Sequence, residues 1–313
     1  MVKLPKLSIV TACHNNRDTL ARAVSSVLSD DTFEVQHIVV DDGSSPALTE
    51  ADLGRPTSDT LLLLRQDENL GKPAACNLGF SRSTGEYVFI LDSDDELIPG
   101  WGVAVKSLIE SWPAEAPIAF TWSKDTDGNI TGMGSGTYSR SSWLCGAGAG
   151  EYMAFFRGDV AREYGYLEPG CKRICGTLSY SYLLQSGPLY IHPVVTRIYH
   201  TEDQSSLSRA RLDANKAHDL YLCFNASREW IERYDAEQGV GNPAYLPGLY
   251  FREIAYRALS GERVHALRDL RKARAKLGIV RSLALLPLMV MPCGVFVSTT
   301  RAFKRLGILR QFG

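Results

Sequence analysis

Three carboxylates stand within four positions of this chain, directly after an apolar run. The run Tyr87–Leu91 has the composition of a strand buried on both faces, and Asp92, Asp94 and Asp95 follow it. In open α/β sheets, ligands bind at the carboxyl edge of the strands. Carboxylates held together there repel one another, and a hard divalent cation such as Mg²⁺ or Mn²⁺ relieves that repulsion. Because such an ion completes its coordination with waters and substrate phosphates, the stretch predicts a metal–diphosphate site. The alternative is an acidic surface turn that caps the helix predicted from Pro99.

Apolar runs alternate with helical patterns over the first hundred residues. The predicted strands are Leu7–Ala12, Val35–Val40, Leu61–Leu64 and Tyr87–Leu91, and the helices between them are Thr19–Leu28 and a helix that opens at Asn69. This alternation is typical of a parallel sheet with right-handed crossovers. Asp41 and Asp42 end the second strand, so two strands bring carboxylates to one edge of the sheet.

This half of the chain resembles the family-2 inverting glycosyltransferases, which bind a nucleotide-diphospho-sugar on a GT-A fold. The matching segments occur in the family's order and spacing; they are Ser8–Thr11 with Asn15, Ser25–Leu28, Val39–Ser45, Asn69–Gly71, Asn77–Gly79 and Gly85–Asp95. The resemblance implies a Rossmann-like α/β domain with a mixed sheet and helices on both faces. It also implies transfer of a sugar to a saccharide or lipid-linked acceptor.

The resemblance assigns roles to individual side chains. Those it places along the nucleotide-sugar donor are Thr11, Asn15, Asp42, Asn69, Gly71, Lys72 and Asp92. It implies that Asp94, with Asp92 beside it, binds Mn²⁺ or Mg²⁺ on the diphosphate, and that His200 approaches the same ion. Asp95 would support them. A carboxylate such as Asp42 can accept a hydrogen bond from a base imide N–H, which fits uracil or thymine, and we expect a UDP-sugar donor.

The general base is where the chain departs from the family pattern. Inverting transfer needs a carboxylate to deprotonate the acceptor hydroxyl. In the family this residue belongs to a Glu-Asp pair about a dozen residues before a Gly, and counting back from Gly187 gives Cys175 and Gly176. A thiol of ordinary pKa is a poor general base. The carboxylates that could replace the pair are Glu168, Glu151 and Asp203.

Two other classes of function stay open. A degenerate transferase would bind a sugar nucleotide or a partner without turnover, as the missing pair allows. A nucleotidyltransferase would also use a Rossmann-like sheet with metals, but it normally has a Gly-rich basic loop after the first strand. This chain has Cys13-His14-Asn15-Asn16 there, which argues against that class.

The overall composition indicates the class of protein and its compartment. The 313 residues are 45% hydrophobic and 22% charged with a net charge of −1, which is typical of a globular protein and gives no reason to expect nucleic acid as a partner. Seven scattered cysteines, and an N-terminus that runs directly into a strand, favour a reduced cytoplasmic compartment.

The C-terminal third differs from the rest. We expect a glycosyltransferase domain over 1–208, a helical extension over 209–280 and an apolar, basic tail over 281–313. The run Leu283–Val297 has 15 residues, fewer than the roughly 20 that span a bilayer, and it contains prolines. Basic residues flank it, at Arg281, Arg301, Lys304, Arg305 and Arg310. The tail could lie on the inner face of the plasma membrane, or pack against the catalytic domain or a second copy in a homo-oligomer.

Overall fold

The structure is a computed structural model that describes residues 5–148, 150–165, 180, 182–200, 213–241 and 243–290. The chain divides into two compact units. Among the described residues, the first unit holds those up to 200 and the second those from 213 onward. The expected domain limits at 208 and 280 stay predictions.

The first unit is built on one mixed sheet. Its strands are β1 (Leu7–Cys13), β2 (Val35–Asp42), β3 (Leu61–Gln66), β4 (Tyr87–Ile90), β5 (Glu96–Leu97), β6 (Ile118–Asp125), β7 (Gly136–Tyr138), β8 (Tyr152–Arg157) and β9 (Leu189–Tyr199). They lie in the order β3-β2-β1-β4-β8-β6-β9-β5, and β7 pairs with β9. The four strands β3, β2, β1 and β4 are parallel, as the alternation predicts, whereas β8 is antiparallel to both of its neighbours.

Helices cover both faces of this sheet. They are α1 (Arg17–Val27), α2 (Glu50–Leu53), α3 (Lys72–Arg82), α4 (Trp101–Ser111), α5 (Arg140–Leu144) and α6 (Gly158–Glu163). On one face Leu20 and Val24 of α1 pack on Val39. On the other, Ala75 of α3 packs against Ile38 and Val40. Because strands covered on both faces have no solvent side, β1, β2 and β4 read as nearly continuous apolar runs.

The second unit is helical, as expected. Its helices are α7 (Ala214–Glu237), α8 (Leu246–Leu259) and α9 (Arg263–Leu285), followed by a 3₁₀ turn, Leu286–Met289. Their core includes Ile254, Ala258, Leu270 and Leu277. Helical geometry breaks inside α9 at Gly278, which has φ 75° and ψ 170°. None of the helices in the described ranges is both long and apolar enough to cross a membrane.

Candidate active site

The acidic turn leaves β4 at the centre of the sheet, where the parallel half meets the antiparallel half. One carboxylate oxygen from each of Asp92, Asp94 and Asp95 lies within 4.8 Å of the others. Within the described ranges no other three His, Cys, Asp or Glu side chains are grouped in this way. Carboxylate oxygens are the ligands that Mg²⁺ and Mn²⁺ prefer, so the donor set fits a hard divalent cation.

Helix α1 fixes the backbone of this turn. The Thr19 hydroxyl donates to the Ser93 carbonyl at 2.7 Å, and Arg22 donates to the carbonyl of Asp94. Within the turn, the Asp95 amide donates to the Asp92 carbonyl at 3.1 Å. The three carboxylates are therefore grouped by backbone contacts that need no bound ion.

Two cations balance part of the negative charge. The Lys72 ammonium, at the start of α3, contacts the Asp92 carboxylate. From β9, the Arg197 Nη1 lies 2.9 Å from Asp95 Oδ2 and 3.8 Å from Asp92 Oδ2. The guanidinium is buried and also donates to the Ser123 hydroxyl at 2.9 Å. Lys72 and Arg197 therefore offset part of the negative charge on Asp92 and Asp95.

Burial and neighbouring charges shift the pKa values of Asp92 and Asp95 in opposite directions. Burial raises the pKa of Asp95 to about 7; Arg197 opposes that rise, and the nearby Asp92 and Asp94 add to it. Burial also works against ionisation of Asp92, but Lys72 and Arg197 outweigh it and hold the Asp92 pKa below its usual value. Burial disfavours the charge on Lys72 too, yet Asp92 raises the pKa of that ammonium above its ordinary range. Lys72 and Asp92 therefore form an ionised pair at neutral pH.

Asp42 holds the loop in front of α3. Its carboxylate accepts from the Leu70 amide at 2.8 Å and from the Gly71 amide at 3.0 Å. Gly71 has φ 94°, a conformation that glycine adopts without strain. Asp42 therefore fixes the backbone of the loop that precedes α3. Asp41 points elsewhere, accepting from the Ser44 and Leu48 amides and pairing with Arg65.

The loops after β1, β2 and β3 are tied together. The Asn15 amide donates to the Ser44 hydroxyl at 2.9 Å, and the Asn15 side-chain oxygen accepts from the Ser45 amide at 2.8 Å. A Cβ at Gly43 would lie 2.3 Å from the carbonyl carbon of Glu68, so only glycine lets these loops approach. Asn69 lies in the joined loops, with a buried side-chain oxygen that has no hydrogen-bond partner among the described residues. Such an oxygen is available to a ligand donor.

Thr11 lies deeper than a residue expected beside the base. It is fully buried, and its hydroxyl is 2.9 Å from Nε2 of His37. Burial lowers the pKa of His37 to about 3, so the imidazole is neutral at physiological pH. The hydroxyl therefore already has a protein partner, and a role for Thr11 toward the nucleotide stays a prediction.

Of the three candidate bases, Glu151 lies in the described residues, and Glu168 and Asp203 lie outside them. The Glu151 side chain is 56% exposed, and its Oε2 lies 3.9 Å from the Nη2 of Arg197. Arg197 thus links Glu151 to the acidic turn. The Cys175–Gly176 stretch also lies outside the described residues.

His200 meets the acidic turn through its backbone. Its amide donates to Asp95 Oδ1 at 3.0 Å, whereas the Nε2 of its ring lies 3.0 Å from Glu96. The imidazole is not a member of the carboxylate group. A metal contact from His200 therefore stays a prediction. The ring position beside Glu96 does not favour it.

Sequence reasoning missed Arg197. The available signal is a single arginine between Thr196 and Ile198, in a strand that contains no other lysine, arginine, aspartate or glutamate. A buried arginine needs an acidic partner, and the carboxylates after β4 are the natural candidates.

Sequence comparison identifies the N-terminal part. Residues 8–140 match the model of glycosyl transferase family 2. The succinoglycan biosynthesis protein ExoO of Rhizobium meliloti is 35% identical over 97 residues, which cover 31% of this chain and 28% of that protein. The GalNAc(5)-diNAcBac-PP-undecaprenol beta-1,3-glucosyltransferase of Campylobacter jejuni is 26% identical, over 49% of this chain and 52% of that one. The chain therefore spans between about a quarter and a half of these relatives.

Solved structures extend the likeness in fold. A fragment of S. aureus TarS in complex with UDP-GlcNAc aligns with a TM-score of 0.60 at 13% identity, covering 98% of this chain and 94% of that one. The mannosyltransferase PcManGT from Pyrobaculum calidifontis, in complex with GDP-Man and Mn²⁺, aligns with a TM-score of 0.52 at 17% identity, covering 97% and 84%. Residues 8–140 therefore belong to a family-2 glycosyltransferase domain, and the likeness to these structures shows the GT-A fold.

Proposed function

We propose that this protein transfers a sugar from a nucleotide-diphosphate donor, a UDP-sugar by preference, to a saccharide or lipid-linked acceptor with inversion at the anomeric carbon. The observation that carries the proposal is the group of Asp92, Asp94 and Asp95 at the carboxyl edge of the sheet, with Lys72 fixed beside it. Such a site combines a place for a divalent cation with a permanent cation, and a departing diphosphate needs both charges.

Asp94 and Asp92 would hold the divalent cation, Mn²⁺ or Mg²⁺. Bound there, the ion would act as a Lewis acid toward the diphosphate oxygens. Lys72 remains charged and stays at the site through Asp92, where it can offset phosphate charge. Asp42 and Asn69 lie in the joined loops and offer acceptors to a base imide N–H, which supports the preference for uracil. The likeness in fold to a protein crystallised with UDP-GlcNAc supports the same choice.

We assign the general base to Glu151. Its carboxylate is more than half exposed, so an acceptor hydroxyl can reach it, and Arg197 holds it near the acidic turn. Glu151 would take the hydroxyl proton as the acceptor oxygen bonds to the anomeric carbon. The bond from that carbon to the diphosphate breaks on the opposite face, and the nucleoside diphosphate leaves with the bonding electrons. Attack from one face with departure from the other gives inversion.

Calorimetry tests the donor site. We expect UDP to bind the full-length protein in the presence of Mn²⁺ more tightly than in its absence, and more tightly than GDP or dTDP. Asp94→Ala should weaken the Mn²⁺-dependent part by about tenfold or more, because a carboxylate ligand is removed. Asp127→Ala changes an exposed carboxylate in the turn after β6 and should leave binding unchanged. Equal affinities of the two variants would contradict the metal assignment.

The second candidate function is binding of a sugar nucleotide without turnover. The absence of a carboxylate at Cys175–Gly176 favours it. An assay of donor hydrolysis separates the two functions. Mn²⁺-dependent release of sugar that Glu151→Gln abolishes supports the transferase, whereas tight UDP binding without release from any donor or acceptor supports the binding protein.

We also propose that the enzyme works in the cytoplasm at the inner face of the plasma membrane, where lipid-linked acceptors lie. The C-terminal basic and apolar residues support this location.

A further inference from the structure

The end of α9 exposes an apolar surface. The side chains are Ile279, Val280, Leu283, Leu286 and Val290, with exposed fractions of 70%, 82%, 59%, 46% and 76%. Their spacing places them on one side of the helical segment that follows Gly278. We call these five residues the α9 face. Five of the twelve exposed large apolar side chains in the described part of the chain belong to it. Scattered apolar side chains are normal on a surface, but a concentration of this kind marks an interaction site.

The opposite side of the same segment anchors it to the second unit. Leu285 and Leu288 are buried in the core that also contains Leu270 and Leu277, the residue before Gly278. The segment is therefore attached along one side and exposes the other. Burying the α9 face in the same core would require detaching these leucines.

Charge indicates what covers the α9 face. Helix α9 contains seven lysines and arginines and a single acidic residue, Asp269. Its exposed cationic side chains are Arg268, Arg271, Lys272, Arg274, Lys276 and Arg281. The sequence beyond the described residues continues with apolar residues to Val297 and then with further basic residues. A second copy of this chain would oppose this positive helix with an identical one, which costs energy through like-charge repulsion.

We propose that the α9 face docks the second unit on an anionic lipid bilayer. Apolar side chains in the acyl boundary combined with lysines and arginines at the headgroups are the two components of an interfacial anchor. Such an anchor does not require a helix that crosses the membrane. Docking itself does not depend on the transfer reaction. Its consequence rests on the proposed function: a lipid-linked acceptor would be available at the same membrane surface.

Vesicle sedimentation tests the proposal on the full-length protein. The probes are vesicles of phosphatidylcholine alone and vesicles that also contain phosphatidylglycerol. We expect binding to the anionic vesicles, weaker binding to the neutral ones, and a loss of binding as salt is raised. The combined change Val280→Ser, Leu283→Ser and Val290→Ser should weaken binding by about tenfold or more, since each exposed side chain loses its transfer into the acyl boundary.

A matched control uses other exposed apolar residues. Val103→Ser, Ile130→Ser and Val264→Ser together change three side chains of similar size and exposure, one of them on α9 itself, and should bind as the wild type does. Asp94→Ala should also bind vesicles normally, so failure of the donor site and failure of docking are separate results.

Two results would overturn the inference. One is equal vesicle binding by wild type and the α9-face variant, or no vesicle binding by either. The other is self-association of the wild type, seen by analytical ultracentrifugation, that the α9-face variant loses while vesicle binding is absent. The second result would assign the face to a second copy of the chain.

Discussion

Two groups of charged side chains in this protein are built differently. In the first unit, the three carboxylates come from one turn, and Lys72 and Arg197 contact two of them. In the second unit, Arg228 contacts Glu229, Glu232 and Glu253, and Lys276 contacts Glu232.

The second group joins charges from different helices. Arg228 contacts Glu253 and lies 2.7 Å from Glu232, which also accepts from the Tyr250 hydroxyl at 2.8 Å. Burial works against ionisation of Glu232, but Lys276, Tyr250 and Arg228 hold its pKa below the usual value. Because these contacts run between α7, α8 and α9, the group stabilises the packing of the three helices. The acidic turn instead groups three carboxylates of one short segment, and a divalent cation can use such a donor set.

The largest expected effect concerns Glu151, which Arg197 links to the acidic turn. Glu151→Gln should lower kcat by about a hundredfold or more, because general base catalysis of this kind contributes 10²–10⁴-fold. UDP affinity and thermal stability should change little, since the side chain is mostly exposed. Steady-state kinetics measure the effect, with Glu115→Gln, an exposed glutamate elsewhere in the first unit, as the control. Unchanged kcat in Glu151→Gln would return the role of base to Glu168 or Asp203.

Arg197→Met tests the acidic turn, because it removes the buried cation that contacts Asp95 and Asp92. The free energy of unfolding should fall by about 3 kcal/mol or more, since Asp95 is left buried without its partner. Mn²⁺ should then raise the melting temperature more than it does in the wild type, because the carboxylates have lost a competing cation.

Arg157→Met is the control for this change. Arg157 donates to the neutral carbonyls of Ala116 and Pro113, at 3.0 and 2.8 Å. Its loss should destabilise the protein without altering the Mn²⁺-dependent shift. An equal shift in the two variants would show that Arg197 does not act on the cation site.

Arg228→Met tests the charged group of the second unit, in which Arg228 contacts Glu232 and Glu253. We expect a loss of about 3 kcal/mol in the free energy of unfolding of the second unit, because Glu253 is buried and would lose its cation. Urea unfolding monitored by circular dichroism measures this loss. Arg233→Met, an exposed arginine on the same helix, should stay within about 0.5 kcal/mol of the wild type. Nucleotide binding by Arg228→Met at low temperature should match the wild type, and a loss there would contradict a purely structural role.

The effect that is smallest at neutral pH comes from a buried group outside both networks. His37 has a native pKa of about 3 and a value near 6.5 when unfolded. Below pH 6.5 the unfolded chain therefore binds a proton that the native protein excludes, and stability falls by up to about 1.4 kcal/mol per pH unit until pH 3. His37→Gln should remove this part of the pH dependence, whereas His265→Gln, which is exposed, should not. Parallel stability curves for wild type and His37→Gln between pH 7 and pH 5 would contradict the buried neutral imidazole.

The local pattern of apolar and polar residues predicted much of the first unit. Strands β1, β2 and β4 are apolar because both faces of the sheet are covered, and the helices between consecutive strands allow β1 to β4 to pair in parallel. Carboxylates placed after β2 and β4 must then reach the same edge. The family resemblance rested on those same segments, and the mixed sheet and helical C-terminal region are confirmed. The roles of the individual site residues stay predictions.

The sequence by itself determined which residues end the strands, where glycine is required and where the C-terminal charge is concentrated, since each depends on neighbours along the chain. Only the tertiary structure decided what those residues meet. Arg197 reaches Asp95 because β9 pairs with β6 and β5, a contact across about a hundred residues. Thr11 faces His37 rather than solvent, and the His200 ring faces Glu96. Periodicity assigns a side chain to a face, but the partner on that face depends on the order of the strands, which non-local packing determines.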